Sequence, residues 1–222
     1  MNDSANTQQQ KQFKILLIGD SCTDVKENLE ALGCLVVPML GVPSKKTRYV
    51  DIRSKQHIMR ADSDFQNVPL KFEDIPHDLN NADAVVISDY NKGYVSYELV
   101  EKLRKQYKGP IFVDTKKHDL KRFEGCIIKI NQHESAQLTS RPKNNVIITY
   151  GDKGVVWDDW AFNATPVEVA DVCGAGDTFL SALCYQYLNT NDMPDAIQFA
   201  IKASAITVQH LGNYAPTLKE IE

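Results

Sequence analysis

No stretch of this 222-residue sequence stays apolar for the roughly 18 residues that a membrane span needs. The first dozen residues, MNDSANTQQQKQ, lack the apolar segment of a secretory signal peptide. No basic block occurs, and Lys+Arg number 25 against Asp+Glu 29, for a net charge of −4. That balance gives no electrostatic footprint for nucleic acid. The five cysteines form no Cys-x-x-Cys pair, which argues against zinc and against a disulfide framework. Reduced thiols and a cytoplasmic location are the matching expectation. Internal repeats and low-complexity linkers are absent too, and 43% hydrophobic content fits one ordinary domain over residues 13–222 behind a disordered tail of residues 1–12.

What is present is an alternation of short apolar runs with helical stretches. KILLIG (14–19) reads as a buried strand, followed by a helix near 25–32 and a strand CLVVPML (34–40). TRYVDIRS (47–54) and QHIMRAD (56–62) alternate as the two strands of a hairpin, a small β excursion at 46–62. Four more apolar strands follow at 82–88, 110–114, 126–130 and 145–149. SYELVEKLRKQY (96–107) forms a helix between the first two, and a strand at GVVWDD (154–159) and helices near 174–189 and 193–211 close the chain. The pattern predicts an α/β fold, a mainly parallel central sheet flanked by helices.

In such sheets ligands bind beyond the carboxyl ends of the strands. Polar residues gather there: Asp20 and Asp24 after the first strand, SDYNKG (88–93), Asp114-Thr115-Lys116, Asn131-Gln132-His133-Glu134, and Thr149 to Gly154. The first strand is not followed by Gly-x-Gly-x-x-Gly, which removes the basis for a dinucleotide-binding oxidoreductase. Near the end stands DVCGAGDTFLSA (171–182). Gly174, Ala175 and Gly176 allow close approach to the amides of a helix's first turn, an anion site, and Asp177 puts a carboxylate beside it. Taken alone, the same residues also suit a glycine loop with an acidic first turn.

DVCGAGDTF resembles the signature of the ribokinase-like (PfkB) carbohydrate kinases, with Cys173 where the family usually has Thr. NQHE (131–134) is similar to the family's Asn-x-x-Glu motif and TYGDKG (149–154) to its Thr-x-Gly-x-x-Gly nucleotide loop. SDYNKG, VDTKKHDLKRFEG, KTRY and QHIMRAD resemble one branch, the heptose 7-phosphate kinases of bacterial ADP-heptose synthesis. The resemblance implies a ribokinase-like fold with a small β lid, ATP and Mg²⁺ as cofactors, and a sugar or sugar phosphate as acceptor. It implies Asp177 as catalytic base and Gly174, Ala175 and Gly176 as anion hole. Asn131, Gln132, His133, Glu134, Thr149, Gly151 and Gly154 would bind ATP, with Asn131 and Glu134 organising Mg²⁺ partly through water. Asp20, Asp24 and Lys116 would contact substrate. A homodimer joined through the hairpin at 46–62 is the implied assembly.

The family's Gly-Gly-x-x-x-Asn sugar motif has no counterpart between Asp24 and the hairpin, and Gln137 to Asn145 is too short for the helix expected there. Two functions therefore stand: a compact sugar kinase, or a catalytically weak relative that binds nucleotide.

Overall fold

The computed structural model describes residues 11–20, 23–43, 45–51, 53, 57–63 and 65–222. Most of the expected tail, as well as Ser21, Cys22 and Ile52, lies outside the described residues.

Eight strands form one sheet. β1 (Lys14–Gly19), β2 (Leu35–Leu40), β5 (Ala84–Asp89), β6 (Ile111–Thr115), β7 (Ile127–Asn131) and β8 (Val146–Thr149) are parallel. They run in the order β8-β7-β6-β5-β1-β2. Antiparallel β9 (Val155–Trp157) and β10 (Trp160–Phe162) extend the β8 edge. The sheet order changes direction at β1, whose neighbours are β2 and β5, so the strand ends around it open a crevice.

Near-continuous apolar runs are what a sheet covered on both faces requires. In β1, Ile15 and Leu17 enter one core while Leu16 and Ile18 enter the other. The first core is closed by α1 (Thr23–Ala31), α4 (Ala175–Thr190) and α5 (Met193–Thr207), together with Ile221 of α6 (Leu218–Ile221). The second is closed by α2 (Tyr97–Gln106) and by Leu120 and Phe123 of a 3₁₀ turn. α2 starts where Ser96 accepts from the Leu99 N–H, and α5 where Asp192 accepts from the Asp195 N–H.

Two differences from the sequence reading have local causes. The helix expected to reach residue 211 ends at Thr207. Gly212 takes a left-handed φ of 77° and its N–H donates to Asp171, drawing the chain back to the segment before α4. The short α3 (Gln132–Ser135) was read only as a strand end. It exists because Asn131 and Glu134 form a capping box, each side chain accepting from the other's backbone N–H. No helix occupies residues 137–145, in line with the short connection.

The excursion at 46–62 appears as β3 (Lys45–Val50) and β4 (His57–Ser63), a separate two-stranded sheet. Its register shifts between Tyr49 and Val50, so the alternation expected to run unbroken to Ser54 is interrupted there.

Candidate active site

The polar strand ends and the start of α4 converge. Gly174 is the residue before α4, with φ 75°, a conformation that suits glycine. The amides of the first turn of α4 have no helical carbonyl to bond, and Asp177 sits in that turn. The Tyr90 hydroxyl, just past β5, lies 3.5 Å from both Asp177 carboxylate oxygens. The Lys116 ammonium, at the end of β6, stands 4.5 Å from the centre of the Tyr90 ring. Lys116 thus reaches the Asp177 side of the crevice through Tyr90.

Lys129 on β7 is the residue that the sequence did not reveal. It is buried, its Nζ donates to Asp114 Oδ2 at 2.8 Å, and a Cβ placed on Gly176 would meet that Nζ at 2.9 Å. Burial works against the charge, but Asp114, Asp177 and Glu134 around it prevail, and its pKa is raised. A fixed cation therefore lies under the amides at Gly176. A lysine inside an apolar strand is itself the available signal, since Lys is rarely buried unless paired.

Asn131, Gln132 and His133 are exposed, and the His133 ring turns to Gln137, 2.8 Å away. Glu134 is the member of that motif with an electrostatic link to the site: burial raises its pKa, with the Asp114 charge adding to the effect against Asn131, Lys129 and Lys116. Among the described residues no group of three or more His, Cys, Asp or Glu side chains could cage a metal. Mg²⁺ needs no such cage, because it keeps waters and takes one or two carboxylates plus phosphates. Glu134 and Asp114, near enough for the Asp114 charge to add to the raised Glu134 pKa, fit that demand.

The Thr149–Gly154 segment turns back at the end of β8. Tyr150 N–H donates to the Gly154 carbonyl, and Thr149 Oγ1 reaches the Ile130 carbonyl at 3.4 Å. Gly151 and Gly154 have φ of 62° and 96°. A Cβ on Gly154 would stand 2.0 Å from the Phe162 carbonyl oxygen, so glycine is required there by β10 packing, while at Gly151 the space is open.

The two acids after β1 part company. Asp24, in the first turn of α1, is partly exposed. Asp20 is buried; Oδ2 accepts from Lys92 N–H and Oδ1 from Tyr94 N–H and Asn67 Nδ2. Its carboxylate holds the 90–94 loop that carries Tyr90, a task the sequence reading, which gave it to sugar hydroxyls, did not include. That loop is also held by Asp89, which accepts from Thr115 Oγ1, from Lys117 Nζ at 2.6 Å and from Asn91 N–H.

A carboxylate beside first-turn helix amides, a buried lysine close to Gly176 and glycine-supported turns at the neighbouring strand ends are groups of the kind that phosphoryl transfer calls for. The family model for the pfkB family carbohydrate kinases matches residues 60–220, and the chain belongs to that family. Among curated relatives, the bifunctional protein HldE of Nitratiruptor is 28% identical over 211 residues, covering 81% of this chain and 44% of its own. HldE of Helicobacter pylori strain HPAG1 is 24% identical, covering 95% and 54%. The chain thus spans about half the length of the curated relatives it matches. The solved Arabidopsis thaliana ribokinase, complexed with ribose and ATP, superposes with a TM-score of 0.72 at 13% identity, covering 95% of this chain and 98% of its own. The Thermotoga maritima ribokinase gives 0.63 at 21% identity, covering 94% and 79%. The fold is therefore ribokinase-like. Among the described residues, no helix is long and apolar enough to cross a membrane.

Proposed function

We propose that the protein transfers the γ-phosphoryl group of ATP to a hydroxyl of a sugar phosphate, with a heptose 7-phosphate as the favoured acceptor. The carrying observation is Asp177 at the start of α4 with Lys129 beneath Gly176. Asp177 takes the proton of the attacking hydroxyl. The amides of Gly174, Ala175 and Gly176 face the migrating phosphoryl, and the Lys129 charge beneath them needs no reorganisation as charge develops. When bound, Mg²⁺ supplies charge neutralisation on the phosphates; Glu134, with Asn131 and Asp114, would hold it, partly through water. Thr149, Gly151 and Gly154 would border the nucleotide, with Gln132 and His133 at its margin. Asp24 and Lys116 would contact the acceptor, and Asp20 acts through the loop it holds. The acceptor class rests on the HldE relatives and on SDYNKG and QHIMRAD.

A second reading is favoured by one observation. β1 ends at Gly19 and α1 begins at Thr23, which leaves three residues on the acceptor side of the crevice. A nucleotide-binding relative with weak turnover would have this form. ADP release by the purified protein, measured against a panel of heptose, hexose and pentose phosphates, separates the two. Acceptor-dependent release that disappears in Asp177→Asn supports the kinase. Nucleotide binding with no acceptor-dependent release supports the weak relative.

A further inference from the structure

Two buried side chains tie α1 to α4 beside Asp24 and Asp177. Asn28 Nδ2 donates to the Asp24 carbonyl at 2.8 Å, while its Oδ1 accepts from Thr178 Oγ1 at 2.9 Å. Ser181 Oγ lies 2.9 Å from the Asp177 carbonyl and 3.3 Å from the Val25 carbonyl. Each side chain joins the backbone at Asp24–Val25 to the chain at Asp177–Thr178.

Proton accounting fixes the sense of the first link. The Asp24 carbonyl can only accept, so the amide must present its NH₂ there and its oxygen to Thr178. Thr178 has one proton, given to Asn28, so toward Thr207 Oγ1 at 3.0 Å it can only accept. Asn28, Thr178, Ser181 and Thr207 are all buried. An unmet partner in that position costs desolvation that water cannot restore.

We infer that Asn28, Thr178 and Ser181 are positioning residues that set the spacing of Asp24 from Asp177, and so the placing of the acceptor hydroxyl against the base. The inference rests on the kinase reading for what those two acids do. α1 is nine residues long, too short to hold its own shape. Val25 and Leu29 bury it against α4, but apolar contact is non-directional and leaves rotation and sliding unspecified. The Asn28–Thr178 hydrogen bond, with the Ser181 hydroxyl sharing its one proton between the Asp177 and Val25 carbonyls, supplies the missing register. No charged group takes part, so the clasp works at any pH at which the protein is folded.

The test replaces Thr178 by Val, which keeps the shape and removes the donated proton. A misplacement of about 1 Å costs on the order of 100-fold in rate. Thr178→Val should therefore lower kcat for acceptor phosphorylation by roughly 10- to 100-fold with KM for ATP unchanged, and Thr178→Ser should rescue it. Amide hydrogen exchange across residues 24–31 should quicken about tenfold in the Val variant while α5 stays protected. Full kcat in folded Thr178→Val, or unchanged exchange in α1, overturns the inference. A wild-type protein with no acceptor phosphorylation sinks the kinase reading instead, and the exchange measurement still decides whether the clasp holds α1. Asn28→Leu with Thr178→Val removes both partners: recovered thermal stability with kcat still low supports positioning, and recovery of both assigns the pair to stability alone.

Discussion

The Lys129 ammonium lies 2.9 Å from where a Cβ on Gly176 would stand, so it can approach the first turn of α4 this closely only because residue 176 has no side chain. Lys129→Met should keep the volume of the side chain and lose its charge. Removing one stabilising group of this kind costs about 100- to 1,000-fold in rate. The expected result is a kcat reduced to that degree with the acceptor KM little changed. Gly176→Ala should give a smaller loss, because Lys129 must shift from Asp114 to admit the methyl group. Equal turnover by wild type and Lys129→Met would remove the lysine from the reaction.

The capping role of Glu134 and its proposed metal role can be separated by a single substitution. Its carboxylate accepts from the Asn131 N–H at 2.8 Å and caps α3. Gln at that position still caps, so Glu134→Gln should fold normally. It should also lose most of the Mg²⁺ dependence of ATP binding, read by calorimetry with and without chelator. The wild-type pKa is raised above its ordinary 4.5, chiefly by burial. The metal requires the ionised form, so Mg²⁺-dependent affinity should begin to fall above pH 4.5 as the solution is acidified. Identical affinities for both proteins with and without chelator would refute the assignment.

Much of this was legible in the sequence, for identifiable reasons. Apolar runs such as KILLIG and AVVIS announce strands buried on both faces, and Gly174 marks the turn before α4 because a left-handed φ suits glycine. The role of Asp20 was not legible, since its partners Asn67, Lys92 and Tyr94 lie 47 to 74 residues away in sequence. Asn-x-x-Glu was ambiguous by nature, because a capping box and a phosphate-side motif call for the same two residue types. Lys129 was hidden inside CIIKI, where a strand pattern draws attention to its apolar neighbours.

Asp89 and Lys117 form a nearly dry pair at 2.6 Å, with Lys117 also donating to the Val95 carbonyl. Burial raises the Asp89 pKa despite the attraction of Lys117 and the hydrogen bonds from Thr115 and Asn91. Removing one partner of a buried pair costs about 3–5 kcal/mol, which is the loss of unfolding free energy expected for Lys117→Met at pH 7. The sign with pH follows. A raised carboxyl pKa favours the folded state below it, and the cost of the buried charge appears as pH rises through it. Without Lys117 the Asp89 pKa climbs further, so the deficit of Lys117→Met should shrink as the pH is lowered toward 5. Urea unfolding at the two pH values checks this, and a deficit independent of pH would rule out the buried carboxylate as its source.

The hairpin poses the remaining question of cover. Tyr49 and Met59 are cross-strand partners and share one face, and Ile58 is the residue left unpaired at the register shift. All three are exposed, Ile58 at 70%. A two-stranded sheet is at best marginal in water, and among the described residues β3–β4 makes no strand pairing with the main sheet. These exposed apolar side chains call for a surface to cover them. We propose that a second copy of the hairpin supplies that surface, giving a homodimer through residues 46–62. Ile58→Glu would place a charge within the contact, and burying an unpaired carboxylate is costly enough to separate the subunits. Light scattering at tens of micromolar should report a dimer for the wild type and a monomer for Ile58→Glu. Met59→Glu tests the residue paired with Tyr49 in the same way, so the position whose charge dissociates the dimer is the one that meets the partner. A monomeric wild type, or a dimer indifferent to both substitutions, would exclude the hairpin as the interface.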